Sequence, residues 1–152
     1  MRFTKTKFDG LFIIKIDKFD DERGYLSKFF DREIFDENGI KFSLTQIKYT
    51  YTKQKGTIRG LHFQSKPFEE DKIVYCTKGE VFEAAIDLRR KSKTYGKWLA
   101  MKFSESEKTS LLIPKGFAHG YQSLKNNCEM LYLMSGKFSK PHNAGFRWND
   151  PY

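Results

Sequence analysis

Two of the three histidines in this chain lie in segments whose neighbouring residues suit proton transfer or ligand binding. His62 closely follows Arg59 and Gly60, so an imidazole, a fixed cation and a conformationally permissive glycine lie together. His119 lies in a Pro/Gly frame between two apolar runs, a pattern that predicts a turn. Because functional sites are often built at turns and strand ends, both histidines are candidate site residues.

Acid and base chemistry at a carbon next to a carbonyl group requires three kinds of side chain. A base removes the proton, a donor protonates the other face, and a cation stabilises the developing enolate oxygen. Imidazole, phenol and ammonium meet these needs, and His62, Tyr132 and Lys72 each lie on or beside a predicted strand. Their structural alternatives are a packed histidine, a core aromatic and a solvated lysine at a strand end.

A metal site is the alternative use of the histidines. The segment 114–119 is similar to the second motif of cupin jelly rolls, which often carry a metal with two histidines from an HxH element and a carboxylate. Here His62 is single, so a metal would need His142 or Glu83 as a further ligand. We therefore predict a metal-free site.

The elements that must position these residues are mainly strands. Apolar and polar alternation predicts strands over 11–16, 41–51, 72–76, 81–88, 96–103, 110–113 and 128–134. The turn at Lys78–Glu80 predicts a hairpin, and a short helix is predicted over Asp31–Asn38 with Asp31 as its cap. Many short strands with little helix are typical of an all-β jelly roll or β-barrel, which we expect to form one domain over 1–152.

Composition and charge limit the classes of partner. The net charge of +9 favours an acidic ligand, but the lysines are scattered and no nucleic-acid-binding motif is present, so nucleic acid is not the expected partner. No apolar run is long enough to span a bilayer, and the first residues lack the apolar segment of a signal peptide. We therefore expect a cytoplasmic protein without a membrane partner. Cys76 and Cys128 are isolated and are expected to be reduced thiols.

Six motifs in the same order resemble the dTDP-4-dehydrorhamnose 3,5-epimerase family. They are Asp21–Gly24, Arg59–Gln64, Gly79–Phe82, Asp87–Arg89, Ile113–Gly120 and Trp148–Pro151. The resemblance implies a cupin-type jelly roll that forms a homodimer and uses no metal or other cofactor. It also implies epimerisation at C3 and C5 of a nucleotide sugar, dTDP-4-dehydro-6-deoxy-glucose, in the biosynthesis of L-rhamnose and polysaccharide.

The resemblance also implies roles for single residues. His62 corresponds to the proton acceptor, Tyr132 to the proton donor and Lys72 to the lysine near the C4 oxygen. Phe138 replaces a tyrosine that stacks on the thymine, and Arg23 corresponds to an arginine that reaches the ligand of a neighbouring subunit. The implied substrate-binding positions are Arg23, Gln46, Lys48, Arg59, His119 and Phe138.

The chain departs from the family pattern in the charge of its pocket. Lys28 and Asn143 stand where the family has glutamate, and Lys48 stands where it has asparagine. These changes leave open a single-site epimerase or ketoisomerase acting on another 4-keto sugar nucleotide.

A second departure concerns the C-terminal segment. Family members usually continue beyond the Trp-Asn-Asp motif and supply an aspartate that orients the catalytic histidine. We expect another carboxylate to orient His62, and the candidates are Glu83, Asp87 and Asp150. A catalytically silent protein that binds sugar nucleotides is the third hypothesis.

Overall fold

The computed structural model describes residues 1–151, which form two large antiparallel sheets and a separate hairpin. The six-stranded sheet has the order β1-β2-β10-β7-β12-β5, the five-stranded sheet has the order β13-β6-β11-β8-β9, and β3 pairs with β4. The elements are β1 (Arg2–Lys5), β2 (Phe12–Lys15), β3 (Phe19–Asp21), β4 (Gly24–Leu26), α1 (Arg32–Glu37), β5 (Gln46–Thr52), β6 (Ile58–Gln64), β7 (Lys72–Lys78), β8 (Glu80–Asp87), β9 (Trp98–Ser104), β10 (Thr109–Ile113), β11 (Phe117–Ser123), β12 (Cys128–Met134), a 3₁₀ turn (Lys140–His142) and β13 (Asn143–Gly145).

Two apolar clusters hold the sheets in place. The first lies between the sheets and joins Val74 and Met130 of one sheet to Val81 and Phe103 of the other. The second covers the outer face of the six-stranded sheet, where α1 and the following segment pack. β7 is therefore buried on both faces, which explains its almost continuous burial. The predicted jelly-roll class is confirmed.

The helix forms where its sequence predicts it. The Asp31 side chain accepts hydrogen bonds from the backbone N–H groups of Glu33 (3.1 Å) and Ile34 (3.4 Å), which satisfies donors that have no partner within the helix. Its buried residue, Phe35, packs edge-on against Phe3 with ring centroids 4.9 Å apart. In residues 1–151 no helix has the length and hydropathy needed to cross a membrane.

The predicted hairpin around Gly79 is wrong. β7 pairs with β10 and β12, whereas β8 pairs with β9 and β11 in the other sheet. The turn is real, but it carries the chain from one sheet to the other. It packs closely on β12, because a Cβ atom at Gly79 would lie 2.7 Å from Cys128 Sγ.

Three further boundaries differ from prediction. The strand predicted from Lys41 begins at Gln46, because the residues before it cross the outer face of the sheet and bury Phe42 in the second cluster. The turn predicted near His119 ends at Gly116, so the histidine lies inside β11. The alternating pattern predicts no strand after 128–134, yet β13 forms there and pairs with β6.

Candidate functional site

A cavity of about 770 Å³ lies between the two sheets, and residues from β5, β6, β7, β11 and β12 line it. Loop residues after β12 and around β13 complete its wall. Cavities of this size suit small-molecule ligands. Seven of the nine candidate residues line it, namely His62, Lys72, Tyr132, Lys48, Arg59, His119 and Phe138.

His62 is held in the wall of the five-stranded sheet. It lies opposite His119 in the β6–β11 pairing, and the two imidazole centroids are 4.8 Å apart. The register shifts just beyond this pair, where β6 contains one extra residue. Gly60 lies at this bulge with φ of +118°, and a Cβ atom there would be 2.6 Å from the Gly120 Cα atom. The two strands approach this closely only because both positions are glycine.

His119 is oriented by a buried carboxyl group. Its Nδ1 atom lies 2.7 Å from Glu83 Oε1, and both side chains are almost wholly buried. Burial raises the pKa of Glu83 and lowers the pKa of His119, so the neutral forms of both are favoured. The Glu83 contact fixes the orientation of the His119 ring. Nε2 has no hydrogen-bond partner within residues 1–151, so it is available to a ligand.

Tyr132 and two lysines line the facing sheet. Tyr132 lies opposite Lys48 in the β12–β5 pairing, and Lys72 lies opposite Met134 in the β12–β7 pairing. Lys72 Nζ is 3.6 Å from Glu70 Oε1. Lys48 Nζ lies over the Phe138 ring, 5.0 Å from its centroid. Two cations therefore face the histidine pair across the cavity.

The protonation states of the facing groups suit proton transfer. Burial, together with the charges of Lys72 and Lys48, lowers the pKa of His62 to about 4, so the imidazole is neutral at pH 7. Burial raises the pKa of Tyr132, so the phenol keeps its proton. A free base thus lies on one wall and a protonated acid on the other.

Arg59 is fixed at the edge of the cavity by β5. Its Nε atom donates to Thr52 Oγ1 and its Nη2 atom donates to the Tyr51 carbonyl oxygen, both at 3.1 Å. The Thr52 hydroxyl is itself 2.8 Å from the Tyr121 hydroxyl. The guanidinium is therefore held in one orientation while it remains open to an anionic ligand.

The structure separates two candidates from the cavity. Gln46 begins β5 and is absent from the cavity lining. Arg23 lies at the tip of the β3–β4 hairpin, where its Nη2 atom is 2.7 Å from Asp21 Oδ2 and its side chain is highly exposed. Lys28, expected to change the pocket charge, instead forms an ion pair with Asp31 at 2.6 Å.

The carboxylates proposed to orient His62 have other surroundings. Glu83 bonds to the other histidine. Asp87 is fully buried, which by itself raises the pKa of its carboxyl group, but hydrogen bonds from Arg89, Ser92 and Thr94 outweigh burial and hold that pKa well below the usual range. Asp150 lies exposed near the C-terminus.

Two charged residues of the cavity were not selected from the sequence. Glu70 lies in the polar loop before β7, and Arg147 follows β13. Neither belongs to an alternating pattern, so no spacing signal distinguished them from solvated loop residues. Residues 1–151 contain no group of three or more His, Cys, Asp or Glu side chains placed to hold a metal ion. The proposed rescue ligand His142 lies against Phe68 and 2.8 Å from the Ser139 hydroxyl.

Comparison with known proteins identifies the family. The family model described as dTDP-4-dehydrorhamnose 3,5-epimerase matches residues 5–152. The chain belongs to the dTDP-4-dehydrorhamnose 3,5-epimerase family. Relatives with this name from Sinorhizobium fredii and Methanothermobacter thermautotrophicus are each 38% identical over 151 residues, which is 99% of this chain and 77% and 80% of the relatives.

Solved structures of the dTDP-4-dehydrorhamnose 3,5-epimerase family have the same fold. The Bacillus anthracis enzyme, solved with TDP and PPi bound, is 31% identical with a TM-score of 0.95, over 99% of this chain and 86% of the other. A Legionella pneumophila dTDP-6-deoxy-D-glucose-3,5-epimerase in complex with dTDP-4-keto-L-rhamnose is 33% identical with a TM-score of 0.93, over 99% and 79%. The family and the cupin-type fold predicted from the motifs are confirmed.

Proposed function

We propose that residues 1–152 form a single epimerase domain that inverts C3, C5 or both of a nucleotide-linked 4-keto-6-deoxy sugar. The observation that carries this proposal is the placement of a neutral His62 and a protonated Tyr132 on opposite sheets of one cavity, which Lys72 of β7 also lines. Epimerisation needs a base and an acid on opposite faces of the same carbon.

In the proposed reaction His62 takes the proton from a carbon next to the C4 carbonyl group. The electron pair of the C–H bond forms the C=C bond of an enolate, and the negative charge moves to the C4 oxygen. The Lys72 ammonium stabilises that oxygen, and Tyr132 returns a proton to the opposite face. The carbon is then inverted, His62 is protonated and Tyr132 is a phenolate. His62 releases its proton to water and Tyr132 takes a proton from water, which restores both side chains.

The rest of the cavity fits a nucleoside diphosphate. Phe138 offers an aromatic face for a pyrimidine base, and the cations Arg59 and Arg147 line the same cavity and suit phosphate oxygens. His119 Nε2 is a further polar atom of the cavity that has no partner within residues 1–151. Lys48 lines the same cavity, and Gln46, the first residue of β5, completes the proposed substrate-binding set from outside the cavity lining. The relatives solved with TDP and with dTDP-4-keto-L-rhamnose support this ligand class.

The test is proton NMR of dTDP-4-dehydro-6-deoxy-glucose with the protein in deuterated water. We expect the C3 and C5 proton signals to disappear and the inverted sugar to form. His62→Ala should slow exchange by about 10²–10⁴-fold, the usual contribution of a general base. Tyr132→Phe should still exchange protons but should yield mainly uninverted sugar. An exchange rate that is unaffected by His62→Ala would refute the proposal.

A single-site epimerase or a ketoisomerase is the second candidate. Lys48 and Asn143 both line the cavity and differ from the residues of the family pattern, so the pocket charge differs where the sugar would lie. Exchange at only one carbon would identify a single-site epimerase, and a product whose keto group has moved from C4 to C3 would identify a ketoisomerase. Binding of dTDP without exchange on any 4-keto sugar would identify a silent binding protein.

We further propose that the active form is a homodimer in the cytoplasm. The β3–β4 hairpin exposes Phe19, Tyr25 and Leu26, which are 59%, 53% and 63% accessible, and it carries Arg23 away from the cavity of its own chain. Burial of these side chains against a second copy would be favourable. Light scattering should give twice the 18.0 kDa of one chain, and Arg23→Ala should weaken dTDP binding. The free thiols of Cys76 and Cys128 are typical of a reducing compartment, and cell fractionation tests that location.

A further inference from the structure

Glu70 is a buried carboxylate in the cavity to which no role has yet been given. It lies in the loop before β7, two residues ahead of Lys72. The exposed fractions of the two side chains are only 3% and 7%, and Glu70 Oε1 is 3.6 Å from Lys72 Nζ. A buried ammonium without a nearby anion would lose its proton easily. The contact therefore bears directly on the charge of Lys72.

The packing around Glu70 restricts where its carboxylate can lie. A Cβ atom at Gly136 would be 2.8 Å from Glu70 Cβ and 3.4 Å from Oε2, so the backbone after β12 closes over the side chain. Oε2 has no hydrogen-bond partner within residues 1–151. Burial raises the pKa of Glu70, the charges of Lys72 and Lys48 oppose that effect, and the ion pair of the carboxylate is with Lys72.

The other groups around Lys72 do not replace this anion. Lys48 from β5 is a like charge and disfavours the ammonium form. His62 from β6 and His119 from β11 are favoured in their neutral forms. Burial favours the protonated form of Glu83 from β8, so its attraction for the ammonium is reduced. Burial lowers the pKa of Lys72, and Glu70 is the main group that opposes this effect.

We propose that Glu70 is a positioning residue that keeps Lys72 protonated and aimed into the cavity. The inference rests on the proposed function, because Lys72 must be an ammonium to stabilise an enolate oxygen. Lys48 does not replace Lys72 as the ammonium at the enolate oxygen, since the Lys48 ammonium lies over the Phe138 ring.

The experiment measures the charge of Lys72 directly and independently of catalysis. Lysine labelled with ¹³C at Cε is titrated by NMR, and Lys72→Arg assigns its signal. In Glu70→Gln we expect the midpoint of the Lys72 titration to fall by about 1–3 pH units, the usual effect of one nearby opposite charge. Glu69→Gln removes the adjacent carboxylate as a matched control and should leave the midpoint unchanged. Glu70→Asp keeps the charge and should keep the midpoint near its wild-type value, and Glu70→Met removes the charge in a side chain of similar length if the glutamine variant does not fold.

Catalysis provides the second readout. In Glu70→Gln the alkaline limb of the deuterium-exchange rate should move to lower pH by the same amount as the Lys72 midpoint. An unchanged midpoint in the variant that removes the Glu70 charge would overturn the inference even if the wild-type protein is an active epimerase. A lowered midpoint in a protein that exchanges no substrate proton would support the Glu70 contact and would overturn the proposed function instead.

Discussion

The neutral state of His62 predicts that acid destabilises the fold through this one side chain. The unfolded chain binds a proton at the ordinary histidine pKa of 6.5, whereas the folded imidazole binds it only near its pKa of about 4. Stability from this group is therefore complete above pH 6.5 and is lost as the pH falls toward 4. Between pH 7 and pH 5 the linkage amounts to about 1.8 kcal/mol of unfolding free energy, worked from these two pKa values.

The comparison of wild type with His62→Gln measures this effect. Glutamine does not titrate. Between pH 7 and pH 5 the free energy of unfolding of the variant, measured with urea, should therefore fall by about 1.8 kcal/mol less than that of wild type. His119, whose pKa is also lowered by burial, is present in both proteins and cancels. The Cε1 proton signal of His62, assigned by the same variant, should still report a neutral ring at pH 5. Equal pH dependence of the two proteins would refute the electrostatic reasoning.

Four further substitutions test the packing and the ligand face. Gly60→Ala should destabilise the protein by at least about 3 kcal/mol, because its Cβ would lie 2.6 Å from β11. Gly96→Ala is the control: its φ is +72° but the space around it is open, so it should cost about 1 kcal/mol. Urea unfolding measures both free energies. Asp87→Ala should cost about 3–5 kcal/mol in the same assay, since it leaves the Arg89 charge without its buried partner. Phe138→Ala should weaken dTDP binding by about 1–3 kcal/mol in calorimetry if the base stacks there, and an unchanged affinity would exclude stacking.

Local chemistry predicted those elements whose causes are local. The Asp31 cap and the helix after it follow from side-chain to backbone hydrogen bonds within three residues. β12 matches its prediction, since its alternating pattern reflects one face toward the cavity and one toward the outer cluster. The convergence of His62, Tyr132 and Lys72 in one cavity was expected from the family motifs. Spacing alone did not require it.

The errors concern properties that a short segment does not encode. The turn at Gly79 has the same chemistry whether its flanking strands pair or pass to different sheets, and only the distant partners β10, β11 and β12 decide. β13 lacks apolar alternation because it is held by pairing with β6 rather than by burial. Glu70 was missed for a related reason, since its burial depends on contact with Gly136, far along the chain.

The division of the cavity between strands and connecting segments has a consequence for protein engineering. The proposed acid, base and lysine all project from hydrogen-bonded strands, whereas Phe138 and Arg147 lie in the segments beside β13, at the mouth of the cavity. Substrate preference is therefore open to redesign at the mouth without moving the groups that transfer protons. Libraries restricted to the mouth should retain foldable, chemically competent variants far more often than libraries that include the strands.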